Sequence, residues 1–220
     1  MKRTNMYENV RTCNPLAGKC PHDCVYCSTK SFRYPDQIKK YSGELRLDEK
    51  AFKKNLGKGN TWFVCAQNDL FAEGVPDELI RKIYNYIANN GYNTYWFQSK
   101  NPKRMYEWAQ NPFVYGTTVE TNRDYQLSKT TLPKDKSFWM SLIEDREITT
   151  YITVEPIMDF DLNEFVELLN FANPTWINIG ADSKKHNLPE PNKTKILELI
   201  LELKKFTEVR IKSNLERLIK

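Results

Sequence analysis

Three cysteines lie within eight residues of the segment NPLAGKCPHDCVYCS, which spans residues 14–28. Cys20, Cys24 and Cys27 are separated by three and then by two residues, a spacing that indicates metal ligation rather than disulfide bonding. Structural zinc takes four protein ligands, and the chain has only two histidines, one of them inside this loop. Ferredoxin-type clusters take four cysteines. Three thiolates therefore favour a four-iron cluster with one iron left open for chemistry, with a zinc loop as the alternative.

A second group of polar residues stands at the ends of strand-like segments. These residues are Gln67, Asn68, Asp69, Gln98, Ser99, Lys100, Glu120, Glu155 and Asp182. Glu120 and Glu155 are the strongest candidates for a binding or catalytic site, because each ends an apolar run in which an unpaired charge would be costly. A salt bridge or a helix cap is the alternative for both. For Asp69 a structural turn is the alternative, since Asp is common in strand-to-helix turns.

The elements that must position these residues alternate between strand and helix. Runs rich in β-branched and aromatic residues predict strands at 8–12, 62–67, 92–99, 113–120, 148–157 and 175–181. Apolar residues at three- and four-residue intervals predict helices at 48–56, 77–89, 102–110, 134–145, 162–171 and 193–206. This alternation implies parallel strands joined by right-handed crossovers. We therefore predict an α/β fold, a partial (β/α)6 TIM-like barrel that forms a single domain over residues 1–220.

All strands of such a fold end at the same rim of the sheet. The polar strand ends should therefore converge around one cavity. The cysteine loop follows the first predicted strand, so it should lie at the same rim. The sequence thus predicts one site that combines three thiols with carboxylate, amide and hydroxyl groups.

The cysteine loop resembles the signature of the radical S-adenosylmethionine (SAM) superfamily. That signature has the same three-cysteine spacing and an aromatic residue just before the last cysteine, here Tyr26. The resemblance implies that Cys20, Cys24 and Cys27 hold a [4Fe-4S] cluster whose open iron binds SAM. It implies that an electron from the reduced cluster cleaves SAM to a 5′-deoxyadenosyl radical, and that Tyr26 lies near the adenine.

Further segments resemble a small radical SAM family of phages and bacteria that is related in motif to spore photoproduct lyase. They are FVCAQNDLFAEGVPDE at 63–78, FQSKNPKRM at 97–105, TTVE at 117–120, TVEP at 153–156 and INIGADS at 177–183. The resemblance implies that Asn68, Ser99, Lys100 and Glu120 lie near SAM, and we add Asp69 to this group of cofactor-binding residues. Many radical SAM enzymes carry Gly-Gly-Glu at the end of the second strand, where this chain has Gln-Asn-Asp at 67–69.

Two residues are candidates for catalysis. Cys65 lies in the second predicted strand, and a cysteine at a similar place in spore photoproduct lyase gives a hydrogen atom to the product radical. A buried, inert cysteine is the alternative. Glu155 is the second catalytic candidate.

The predicted reaction is reductive cleavage of SAM followed by hydrogen abstraction from an organic substrate. A nucleobase, nucleotide or nucleic acid is favoured by six Lys or Arg against two Glu at 204–220 and by Tyr95, Trp96 and Trp176, which are able to stack on bases. The alternatives are a solvated helix face and ordinary core aromatics. A reductant such as flavodoxin or ferredoxin is implied. The competing function is that of a non-catalytic iron-sulfur or zinc protein that binds nucleic acid or a partner protein.

The overall composition and charge of the chain indicate the compartment in which such a protein acts. The net charge is +5, and no apolar run approaches the roughly 20 residues of a membrane span. The start MKRTNMYENV lacks the apolar stretch of a secretory signal. We expect a cytoplasmic monomer that does not bind membranes.

Overall fold

The computed structural model describes residues 10–184 and 186–220. The strands of this part are β1 (Val10–Cys13), β2 (Leu16–Ala17), β3 (Arg46–Leu47), β4 (Thr61–Val64), β5 (Thr94–Ser99), β6 (Val114–Thr118), β7 (Thr150–Val154), β8 (Trp176–Ile179) and β9 (Glu208–Ile211). The α-helices are α1 (Pro35–Lys40), α2 (Glu49–Phe52), α3 (Asp77–Ala88), α4 (Pro102–Trp108), α5 (Pro133–Glu144), α6 (Leu162–Phe171), α7 (Lys193–Leu203) and α8 (Glu216–Ile219).

Seven of the strands form one sheet in the order β1-β4-β5-β6-β7-β8-β9. Every neighbouring pair in this sheet is parallel. The sheet curls into a half-barrel, which confirms the predicted α/β class and the partial TIM-like barrel. The short strands β2 and β3 pair antiparallel and flank the cysteine loop.

The outer face of the sheet carries the helices and most of the apolar core. Helix α3 shows why: it buries Ile80, Ile83, Tyr84 and Ile87, which recur at three- and four-residue intervals and so form one face. Acidic residues in its first turn complement the positive end of the helix. Fully burying each isoleucine stabilises the fold by about 1.5–3 kcal/mol. A change such as Ile83→Asp would therefore detach this helix from the sheet.

The inner face of the half-barrel carries an aromatic layer. Side chains alternate between the two faces of a strand, and this places Val114, Tyr151 and Trp176 together as a buried cluster against which Trp96 packs. The rings of Tyr151 and Trp176 stack with centroids 5.0 Å apart. Gly116 makes room for this layer, since a Cβ at that position would lie 2.3 Å from the Tyr151 ring.

The sequence pattern predicted six strands, and the sheet has seven. Strand β9 was missed because its charged residues Glu208 and Arg210 alternate with Val209 and Ile211, so that the segment resembles a basic helix end. The first strand was predicted at 8–12, of which residues 8 and 9 lie outside the described part of the chain. The predicted helices at 48–56 and 193–206 are shorter in the structure.

None of the helices in residues 10–184 and 186–220 has the length and apolar character that crossing a membrane requires.

Candidate functional site

A cavity of about 370 Å³ lies at the carboxyl ends of the parallel strands. Most of the residues singled out from the sequence line it: Cys20, Cys24, Tyr26, Cys27, Cys65, Gln67, Asn68, Asp69, Gln98, Ser99, Lys100, Glu155 and Asp182. Among the polar strand-end residues, Glu120 is the one that does not line it, and it lines a neighbouring depression instead. Parallel topology thus brings the ends of four strands, β4, β5, β7 and β8, together beside the cysteine loop.

The cysteine loop is fixed to the rest of the chain by backbone hydrogen bonds. The N–H of Val25 donates to the carbonyl of Leu127, and the carbonyl of His22 accepts from the N–H of Lys129, both at 2.9 Å. Cys20, Cys24 and Cys27 are free thiols in this structure. Burial raises the pKa of Cys20 to about 12 and also raises that of Cys24. In the described residues, no three His, Cys, Asp or Glu side chains approach closely enough to hold a single metal ion.

A glycine shapes the entry to the loop. Gly18 has φ +99, and a Cβ there would lie 2.3 Å from the carbonyl oxygen of Glu44. Its own carbonyl accepts a hydrogen bond of 3.0 Å from the amide of Asn68. Next to Asn68, the amide oxygen of Gln67 accepts from the hydroxyl of Ser28 at 3.1 Å. Both amides are therefore tied to the segment that carries the cysteines.

Asp69 is a buried carboxylate that links the cysteine loop to two strand ends. One oxygen accepts from the Ser99 hydroxyl at 2.7 Å and from the Phe71 N–H at 3.0 Å. The other accepts from His22 Nε2 and from the Lys100 N–H, both at 2.7 Å. Burial raises the pKa of Asp69, but the His22 ring and these hydrogen bonds outweigh it and hold the pKa below its usual value. Through these four hydrogen bonds, Asp69 positions the cysteine loop against the two strand ends. The sequence analysis did not identify His22 as its partner, because a single histidine in a loop forms no recognisable pattern.

Glu120 is buried among two ammonium groups and a phenol. Its carboxylate accepts from the Tyr26 hydroxyl and forms an ion pair with Lys100. Lys136 lies 3.5 Å from the other oxygen. Burial raises the pKa of Glu120, but Lys100 and Lys136 outweigh it and lower the pKa to about 2. The Lys100 ammonium also lies 2.6 Å from the Tyr26 hydroxyl. Glu120 contacts both side chains and therefore positions two residues that line the cavity, although it does not line the cavity itself.

The opposite wall is built around Glu155, at the end of β7. One carboxylate oxygen accepts from the amide of Asn214 at 2.7 Å, and the other pairs with the ammonium of Lys212. Gly180 faces this carboxylate, and a Cβ there would lie 2.8 Å from it. Both partners of Glu155 follow β9, so they escaped the sequence analysis together with that strand. Close by, Asp182 lies 2.7 Å from Nδ1 of His186.

Cys65 lies between the cavity and the apolar core. It has a positive φ of 58 and donates its N–H to the carbonyl of Cys13 at 2.7 Å. Burial raises the pKa of its thiol well above the usual range, so the group is protonated at neutral pH. Its environment suits a protonated thiol at the edge of the cavity.

A family model described as a protein of unknown function (DUF5131) matches residues 3–191. This chain belongs to that family. No curated protein matches the DUF5131 chain closely enough to report.

Solved structures of spore photoproduct lyase resemble this DUF5131 protein in fold. A cysteine-to-alanine mutant has a TM-score of 0.62 at 11% identity, covering 90% of this chain and 74% of that chain. A double mutant with bound AdoMet and dinucleoside spore photoproduct has a TM-score of 0.54 at 12% identity, covering 89% of this chain. This chain spans 61% of the length of that complexed enzyme. At such identities the likeness shows the fold alone, which is radical SAM-like.

The residues that favoured a nucleic-acid substrate in the sequence lie in different surroundings in the structure of this DUF5131 protein. Tyr95 is part of the helix-side core, whereas Trp96 and Trp176 belong to the inner aromatic layer. The basic C-terminal run forms β9 and α8, and several of its cations pair with carboxylates: Lys205 with Glu202, Arg210 with Glu208, Arg217 with Glu190 and Lys220 with Glu216. Neighbouring carboxylates therefore neutralise part of the positive charge that the composition of this run indicates.

Proposed function

We propose that this DUF5131 protein is a radical SAM enzyme. Cys20, Cys24 and Cys27 hold a [4Fe-4S] cluster, and the cavity beside them binds SAM. One observation carries the proposal: the three cysteines line the same cavity as the polar strand ends of a radical SAM-like half-barrel. A loop that serves only to bind a partner has no need of this convergence.

The donor set fits the cluster. The three thiols are free of disulfides, and no fourth cysteine stands in the loop between Gly18 and Ser28. Each cysteine would bind a different iron, so their sulfurs need not converge on one atom. When bound, the reduced cluster supplies the electron that cleaves SAM into methionine and a 5′-deoxyadenosyl radical.

The residues of the chain orient SAM. Its amino acid part carries an ammonium and a carboxylate, for which Gln67 and Asn68 offer amide groups and Lys100 offers a positive charge. Glu120 keeps Lys100 and Tyr26 at the cavity wall. Burial lowers the pKa of Lys100, but Glu120 outweighs it and holds the pKa above the usual value, so this side chain stays charged. The ring of Tyr26, which also lines the cavity, would contact the adenine of bound SAM.

Cys65 serves as a hydrogen-atom donor on the substrate side. Its protonated thiol gives one hydrogen atom to a carbon-centred product radical, forming a C–H bond and leaving a thiyl radical on sulfur. We expect Cys65→Ala to change the product distribution, because the product radical then takes hydrogen from another source. Mass spectrometry of products formed in deuterated buffer measures this, and an unchanged pattern of products and deuterium would remove Cys65 from the mechanism.

Glu155, held by Lys212 and Asn214, orients the substrate at the opposite wall.

The central test is anaerobic reconstitution of the full chain with iron and sulfide. We expect a brown protein that forms 5′-deoxyadenosine from SAM when dithionite stands in for flavodoxin or ferredoxin. Cys24→Ala should lose the visible colour and the 5′-deoxyadenosine, because the loop then offers two thiolates. Cys13→Ala is the matched control, since Cys13 is a free cysteine in the apolar core that does not line the cavity. Colourless protein with stoichiometric zinc would instead favour a binding protein.

The substrate is an organic molecule that gives up a hydrogen atom in the same cavity. A nucleobase, nucleotide or nucleic acid is the class we propose. A spore photoproduct lyase of similar fold has been solved with bound AdoMet and dinucleoside spore photoproduct, and this supports the choice. Incubation with candidate substrates and transfer of deuterium into 5′-deoxyadenosine tests it.

A further inference from the structure

A row of neutral polar side chains lies on the inner face of the half-barrel, one step along the strands from the aromatic layer. It consists of Gln98, Thr118, Thr153 and Asn178 on the four adjacent strands β5 to β8. Thr118 pairs in register with Thr153, and Thr153 with Asn178. Gln98 is in register with Gly116, where the ring of Tyr151 fills the place of a side chain.

Hydrogen bonds join this row into a chain that fixes the amide of Gln98. Its Nε2 donates to Thr118 Oγ1 at 3.0 Å, and its Oε1 accepts from Thr153 Oγ1 at 3.1 Å. Asn178 Nδ2 in turn donates to Thr153 Oγ1 at 3.3 Å. If every hydrogen bond in this row ran in the opposite direction, donors and acceptors would be exchanged. The Gln98 amide would still be bonded to Thr118 on one side and to Thr153 on the other. The side chain is therefore pre-oriented across β6.

Half of the hydrogen-bonding capacity of Gln98 remains for a ligand. A primary amide has two N–H donors and two acceptor lone pairs. The two threonines use one donor and one lone pair, whichever way the amide is assigned. Gln98 lines the cavity and is partly exposed, and its remaining donor and lone pair have no hydrogen-bond partner among the described residues.

The surroundings of Gln98 select a neutral, flat ligand. Phe63 and Pro156 line the cavity as apolar walls. Two cations of the lining, Lys100 and Lys212, form ion pairs with Glu120 and Glu155. The row of Gln98, Thr118, Thr153 and Asn178 offers a charged ligand group only neutral dipoles, which makes the burial of a charge against it costly. A neutral ring with a donor and an acceptor on its edge satisfies the amide and covers the apolar walls.

We propose that Gln98 is the residue that recognises the substrate, and that the group it recognises is a nucleobase. Amide side chains pair with nucleobases through one donor and one acceptor, and flat apolar walls favour stacking. This inference rests on the proposed radical SAM function, whose cavity it shares. It assigns the inner-face side of the cavity to the substrate base and leaves the cysteine side to SAM.

The test is calorimetric titration of reconstituted, SAM-bound full-length protein with thymidine, deoxycytidine, deoxyadenosine and deoxyguanosine. At least one nucleoside is expected to bind. Gln98→Leu should weaken its Kd by about tenfold, because two hydrogen bonds to the base are lost. Gln110→Leu is the matched control, since Gln110 is exposed and does not line the cavity, and the Kd of this variant should match that of the unchanged chain. Gln98→Met keeps the length of the side chain and gives the same readout if Gln98→Leu does not fold.

The outcomes separate this inference from the proposed function. Unchanged protein that makes 5′-deoxyadenosine but binds none of the four nucleosides overturns the nucleobase assignment. Equal or tighter binding of N-acetylglycinamide, a peptide-like amide, overturns it as well. Nucleoside binding that survives both Gln98 variants overturns the role of Gln98. Unchanged protein that makes no 5′-deoxyadenosine overturns the radical SAM function instead.

Discussion

Glu120 shows how a carboxylate remains charged in the interior of this protein. The side chain is buried, and burial alone would favour the neutral acid. Lys100 and Lys136 reverse that preference and lower the pKa to about 2 from its ordinary value of 4.5. Because the folded pKa lies below the unfolded pKa, the charged carboxylate stabilises the fold at neutral pH. This stabilisation is lost as the pH falls through 4.5 towards about 2.

Replacing Glu120 by glutamine should therefore destabilise the protein in a pH-dependent way. At pH 7 we expect Glu120→Gln to lower the free energy of unfolding by about 3 kcal/mol, since two buried ammonium groups lose their partner. Urea unfolding at pH 7 and again at acidic pH measures this. The difference from the unchanged chain should shrink at the lower pH, where the native carboxylate also becomes protonated.

The control for this change is Glu198→Gln, which removes an exposed carboxylate on α7. It should leave the unfolding free energy within about 0.5 kcal/mol at both pH values. A constant difference between Glu120→Gln and the unchanged chain across the acidic range would show that the carboxylate charge is not what stabilises this cluster.

At the scale of elements, β9 completes both the sheet and the cavity. It pairs with β8 along its whole length, from Trp176 opposite Glu208 to Ile179 opposite Ile211. The segment after it supplies Lys212 and Asn214 to Glu155. Asn214 also accepts from the Ala181 N–H at 3.3 Å and donates to the Ala181 carbonyl at 2.8 Å, which ties the ends of two strands together. The family model ends at residue 191, so this element lies beyond the matched segment.

We expect a chain that ends at residue 206 to associate more than the full chain does. Without β9, the edge of β8 presents unpaired N–H and carbonyl groups that are able to pair with another chain. We expect this shortened protein to form larger species in size-exclusion chromatography with light scattering. A chain ending at residue 215 keeps β9, Lys212 and Asn214, and should elute as the full chain does. If both shortened chains elute alike, β9 does not protect the sheet edge.

At the scale of the whole molecule, the parts that follow from local pattern could be predicted from the sequence. Alternating strand and helix segments gave the α/β half-barrel, and helix α6 was predicted with the bounds it has, Leu162–Phe171. The polar strand ends converge because parallel topology requires it. His22, Lys136 and Asn214 could not be predicted, because a loop, a helix and a chain end bring them to the site by packing that no periodicity records. The cytoplasmic location, the monomeric state and the single domain over residues 1–220 stay predictions.

The two walls of the cavity come from opposite ends of the chain. The cysteine loop leaves the ribosome before the partners of Glu155, which lie far along the chain from it. A nascent chain therefore displays its thiols before the far wall exists, and anything bound to them at that stage is open to oxygen. If iron and sulfide are delivered after the chain has left the ribosome, they reach a site at which both walls of the cavity are in place.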